Sequence, residues 1–156
     1  MYRTVQDFIN DWEHAAKGTE EVLQAVTDEK SGQAIVEGHS TLRWLSFHLA
    51  TSPAFFAGLA GLDVKATLAS EPNHVEDSVK AYQEIVADVK QAAENNLSDE
   101  ALLEEVDGNG GKTPRGAILR ILIDHQTHHR GQMTVLLRQA GLPVPGIMGP
   151  TKEQQS

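Results

Sequence analysis

The sequence predicts an all-α chain: a four-helix bundle with one short extra element between its third and fourth helices. Three observations carry that expectation. Four long segments repeat apolar residues at three- and four-residue steps, capping residues and helix breakers mark their ends, and little room is left between them for strands. The first segment runs from about Thr4 to Val26, and Val5, Phe8, Ile9, Trp12, Ala15, Ala16, Thr19, Val22, Leu23 and Val26 form a nearly unbroken stripe along it. The second runs from about Thr41 to Leu59 with Ser40 as its cap, and its stripe is Leu42, Leu45, His48, Leu49, Ser52, Phe55, Phe56 and Leu59. Pro53 should kink or divide that helix one turn below His48, because proline removes a backbone donor.

The third segment spans about Val75 to Asn95, where Val75, Val79, Tyr82, Val86, Val89 and Ala93 recur at helical spacing. Its successor has the clearest ends: Thr113 as N-cap, Pro114 at the first helical position, the run AILRILIDHQTHHRGQMTVLLRQAG, and Gly141 and Pro143 just past the end. Between them SDEALLEEV reads as a short capped turn or strand-like piece, and the DGNGG that follows as a flexible turn. Helices of comparable length with apolar stripes turned inward make a bundle, and bundle cores often house histidine metal sites. A chain of 156 residues fits a single domain, 1–156, large enough to bury a core.

Composition narrows the function. With 22 acidic against 13 basic residues and a formal charge of −9, the chain lacks the concentrated positive field that nucleic acid requires. No apolar stretch approaches the roughly 18 residues of a membrane span, and the N-terminus has no uninterrupted apolar core of a signal sequence, so a soluble cytoplasmic protein is expected. Cysteine is absent, which removes disulfides, thiolate ligands and cysteine nucleophiles and leaves histidine and carboxylate chemistry.

Histidine is where that chemistry concentrates. On the fourth helix Ile118, Leu122, His125, His129, Gln132, Met133 and Leu136 fall on one stripe, so the imidazoles of His125 and His129 should face inward together. Residues at i and i+4 stand about 6 Å apart at Cβ, close enough for two imidazoles to meet one ion at about 2.0–2.1 Å. A single histidine on an apolar face is ordinarily a core residue with one hydrogen bond. Two side by side are costly to bury unless each nitrogen is satisfied, and a shared cation satisfies both. His48, on the stripe of the second helix, offers a third ligand. His128 lies off the stripe and reads as a substrate-facing group or one behind the ligands. His14, His39 and His74 occupy surface contexts. By helical phase Trp44 and Ser52 should lie near His48, and Asp124, His128 and Gln132 near the pair. A carboxylate, from Asp124 or from helix one or three, is expected to orient an imidazole. Arg130 is expected to anchor a carboxylate or the C-terminal tail. A ferritin-like di-iron site would need paired Glu-x-x-His motifs, and only Glu71 and His74 have that spacing, with Pro72 between them.

The run HQTHHRGQ at 125–132, the LLRQAGLPVP at 136–145 and the WLSFHLATSP around His48 together resemble the DinB/YfiT superfamily of metal-binding four-helix bundles, over essentially the whole chain. The resemblance implies a divalent ion, zinc or nickel, held by His48, His125 and His129 with water at open positions, and a homodimer. It also implies a choice of functions. One is a metal-dependent transferase or hydrolase acting on a small molecule, including low-molecular-weight thiols such as mycothiol or bacillithiol. The alternative is a non-catalytic, stress-associated protein in which the ion is structural. An open coordination position would favour the first and a fourth protein ligand the second.

Overall fold

The structure is a computed structural model that describes residues 2–108 and 110–155. Four helices dominate it, α1 (Val5–Gln24), α2 (Leu42–Leu59), α3 (Val75–Asn96) and α4 (Arg115–Gln139). Single 3-10 turns occur at Asp28–Lys30, Glu100–Leu103 and Lys152–Gln154. α2 packs against α3 and α4, and α1 against the same two, so α1 and α2 stand diagonally opposite, as do α3 and α4. The long segments joining α1 to α2 and α3 to α4 each cross such a diagonal. The bundle surrounds a core in which Phe8, Trp12, Leu23, Leu49, Tyr82, Ile85, Leu122 and Met133 are fully buried. No helix among the described residues is long and apolar enough to cross a membrane.

Local chemistry explains the helix ends, with three departures from the sequence reading. Thr4 caps α1 by accepting the Asp7 N–H at 3.1 Å. α2 is capped by Thr41, whose hydroxyl accepts the Trp44 N–H at 3.1 Å, and not by Ser40. The helix continues unbroken through Pro53 instead of dividing there. Pro53 has no N–H for the Leu49 carbonyl, and the side-chain amide of Gln126 on α4 takes its place at 3.4 Å. The third departure is at α4, which starts one residue later than expected: Pro114 is its N-cap instead of its first helical residue, and Thr113 and Pro114 also end a strand. Glu105–Gly108 (β1) and Gly111–Pro114 (β2) form an antiparallel hairpin with Val106 opposite Thr113 and Glu105 opposite Pro114. This hairpin, after the 3-10 turn at Glu100–Leu103, is the extra element expected between the last two helices. Beyond α2 and α4, Gly61 and Gly141 take φ of +82° and +72°, which lets Leu62 and Leu142 donate back to Ala57 and Leu137, both at 2.9 Å.

The N-terminus of α3 is capped from far away in sequence. Asp28 accepts the Val75 N–H at 2.8 Å through one oxygen and holds His74 Nδ1 at 2.8 Å with the other. The Val75 amide, then His74, keep the Asp28 carboxyl below its ordinary value, while Asp28 raises the His74 imidazole. The carboxylate's contribution is present above its unfolded pKa near 3.9 and lost as pH falls. The imidazolium's is complete below its unfolded value near 6.5 and lost as pH rises through the raised folded value. Asp28→Ala is therefore expected to lower the melting temperature most between about pH 4 and 6.5 and less in alkali, a difference that thermal melts of both proteins across pH measure directly.

Candidate metal centre

Because α2 and α4 are neighbours, the middle of α2 faces the middle of α4, and His48 meets His125 and His129 there. His48 Nε2 lies 3.0 Å from His125 Nε2 and 3.2 Å from His129 Nε2. All three side chains are half-buried. A neutral imidazole nitrogen carries either one N–H or one lone pair, so His48 Nε2 cannot make a well-formed hydrogen bond to both neighbours, and one of the two contacts is left unsatisfied. Protonation is no remedy. Burial, then the charges of His129, His48 and His128, push the His125 imidazole down to about 4. Burial and His129 lower His48, and burial lowers His129 against the opposing hydrogen bond from Gln132.

A cation would resolve that conflict. Two nitrogens each about 2.0–2.1 Å from one ion stand about 2.9 Å apart at a right angle and about 3.3 Å at the tetrahedral angle, and the observed separations of 3.0 and 3.2 Å fall between. The residues present therefore fit a divalent ion. No fourth histidine, aspartate or glutamate joins the cluster among the described residues.

Several neighbours fix the rings. Trp44 stacks on His48 with ring centroids 4.7 Å apart and planes 9° from parallel, and Phe56 packs against His125 at 5.0 Å. His129 Nδ1 meets Gln132 Oε1 at 2.7 Å, so the proton sits on Nδ1 and the Nε2 lone pair faces the cluster. The group behind the His129 ring is thus an amide and not the expected carboxylate: Asp124 is exposed and paired with Arg120 at 2.6 Å. The buried Nδ1 of His125 has no hydrogen-bond partner among the described residues. His128 stays outside the cluster, exposed, its ring 4.8 Å from that of His129. His14 and His39 are exposed, and His74 is occupied by Asp28 at the start of α3, so the Glu71 to His74 spacing makes no second site.

Sequence reasoning set the phase of α4 slightly wrong. Its deepest line is Leu119, Leu122, Gln126, Arg130, Met133 and Leu137, all buried, and the line through His125, His129 and Gln132 lies to one side, facing α2. Gln126 was missed. It is 0% exposed, and its Oε1 lies 3.0 Å from both the Tyr82 and the Thr19 hydroxyls while its Nε2 reaches Leu49 O and Ser52 Oγ at 3.4 Å. One amide thus ties all four helices together a single residue from His125. Ser52, one turn beyond His48 on α2, belongs to this network. Nor does Arg130 hold a carboxylate. Its guanidinium donates to Ala15 O and to Thr127 Oγ1, and a side chain on Gly18 would strike it and Ile147 of the C-terminal tail. The signal for both residues was their helical spacing from Leu122, Met133 and Leu137.

The comparisons with known proteins agree with this architecture. The family model described as DinB family matches residues 1–156. YrdA of Bacillus subtilis (strain 168) is 35% identical over 156 residues, spanning 99% of this chain and 93% of that protein. The crystal structure of a DinB-like protein from Bacillus cereus ATCC 10987 is similar with a TM-score of 0.89 at 34% identity, covering 94% of this chain and 99% of that one. A second DinB-like structure, YjoA of Bacillus subtilis, shares the fold with a TM-score of 0.74 at 20% identity, covering 93% and 99%. With a matching family model along its whole length and relatives alike in both sequence and fold, this chain belongs to the DinB family.

Proposed function

We propose that this DinB-family chain is a metal-dependent enzyme of the transferase or hydrolase kind, with His48, His125 and His129 holding one zinc or nickel ion through Nε2. The observation that supports it is the convergence of three ring nitrogens with no fourth protein ligand beside them among the described residues. Such an ion would supply Lewis acidity, the chemistry that ionises a water or a small thiol near neutral pH. The chain's own residues hold and orient. Gln132 keeps the His129 proton on Nδ1, and Trp44 and Phe56 fix the planes of His48 and His125. In this reading residues 1–156 act as one domain, and the working assembly is the homodimer that the resemblance implies.

Cobalt(II) in place of the native ion tests the enzymatic reading against the structural one. Added 2-mercaptoethanol is expected to introduce a sulfur-to-cobalt charge-transfer band, which requires an exchangeable position. A cobalt spectrum indifferent to thiol and to azide would mean a closed, structural ion.

A further inference from the structure

Beside the histidine cluster lies a cavity of about 400 Å³, and His129 and Gln132 belong to its wall. The remaining wall comes from the α1–α2 connection and from the outer turns of α2 and α4, including Ile35, His39, Trp44 and Val135. Of the large apolar side chains the protein leaves exposed, Ile35, Trp44 and Val135 all gather here, at 50%, 38% and 46% exposure. Among the described residues no lysine, arginine, aspartate or glutamate lines the cavity. Its polar groups are two imidazoles, the Ser40 hydroxyl and the Gln132 amide. That amide uses Oε1 on His129, while its Nε2 donors have no partner among the described residues. The volume lies within the range of about 300–1,000 Å³ typical of small-molecule sites.

From this we infer that the cavity is the substrate pocket and that it selects a neutral, mostly apolar small molecule carrying a hydrogen-bond acceptor, which Gln132 Nε2 engages. The inference rests on the enzymatic reading for its connection to the metal, but the selectivity follows from the wall alone. An anion entering the metal-free cavity would lose hydration, find no lysine or arginine in its wall among the described residues, and approach a protein of formal charge −9. An apolar body meets Ile35, Trp44 and Val135, and its acceptor oxygen meets a donor held one hydrogen bond from a metal ligand. The substrate's reactive carbonyl or amide end would thereby be turned toward the histidines, and its apolar end toward the α1–α2 connection.

The test is run on the full chain freed of metal, so that no ion can hold either probe, with 2-naphthamide and 2-naphthoate compared at pH 8 by ligand-observed NMR. The amide is expected to bind saturably and about tenfold or more tightly than the carboxylate. Val135→Lys should reduce that preference by about tenfold by giving the anion a partner, and Gln132→Ala should weaken the amide but leave naphthalene unchanged. Equal or tighter binding of naphthoate, no saturable binding of the amide, or an amide affinity indifferent to both substitutions would overturn the inference. Failure of the metal reading shows separately, as absent metal uptake with the amide preference intact.

Discussion

Replacing Gln126 with alanine lowers the melting temperature of the bundle by about 10 °C. The substitution opens a cavity at a fully buried site and strips partners from the Tyr82 and Thr19 hydroxyls and the Leu49 carbonyl at once. Together those losses come to about 3–5 kcal/mol, at about 2–4 °C per kcal/mol for a chain of this size. Gln126→Leu separates the two contributions: it fills the volume but removes the same hydrogen bonds, although Thr19 keeps its bond to Ala15 O, and it should still destabilise. Differential scanning calorimetry of the three proteins decides the matter. A leucine variant as stable as the parent would mean that the four-helix amide network contributes only packing.

Single alanine substitutions at His48, His125 or His129 are expected to abolish stoichiometric binding of a divalent transition ion, while His128→Ala keeps most of it. The difference follows from geometry. Three Nε2 atoms converge, whereas His128 is exposed and lies beyond His129. Binding should weaken as pH falls, because neutral imidazole is the ligand and protons compete for it. The sign of the pKa shifts places the loss low. With His125 depressed to about 4 and its two partners also lowered, the site remains unprotonated below the ordinary histidine value near 6.5. The same shifts mean that the metal-free fold binds fewer protons than the unfolded chain, so these histidines reduce its stability as pH drops from about 6.5 toward 4. Metal retained by His125→Ala at full stoichiometry would remove that residue from the ligand set.

The triad was legible in the sequence because its geometry is mostly local. The i, i+4 step between His125 and His129 dictates their approach, and His48 needed only to lie on the inner face of another helix. Helix extents were equally local, since Thr4, Gly61 and Gly141 act within a few residues of the ends they form. What the sequence did not disclose depends on distant partners. The start of α4 was read one residue early and the strand that runs into it was missed, because the pairing of Thr113 and Pro114 with Val106 and Glu105 comes from a distant segment. The burial of Gln126 and Arg130 escaped notice because polarity alone excludes them from a core, whereas hydrogen bonds from α1, α2 and α3 make it tolerable. Asp28 reaches α3 across 47 residues, a separation over which no helix-start pattern operates.

The central claim is that His48, His125 and His129 hold one metal ion, and elemental analysis of untagged protein purified without chelator, beside His129→Ala, tests it most directly. The geometry predicts about one equivalent of a divalent transition metal per chain in the parent and almost none in the variant. No metal in either protein, even after incubation with zinc or nickel, would contradict it, and the three imidazoles would then be groups that pack the bundle or contact a substrate.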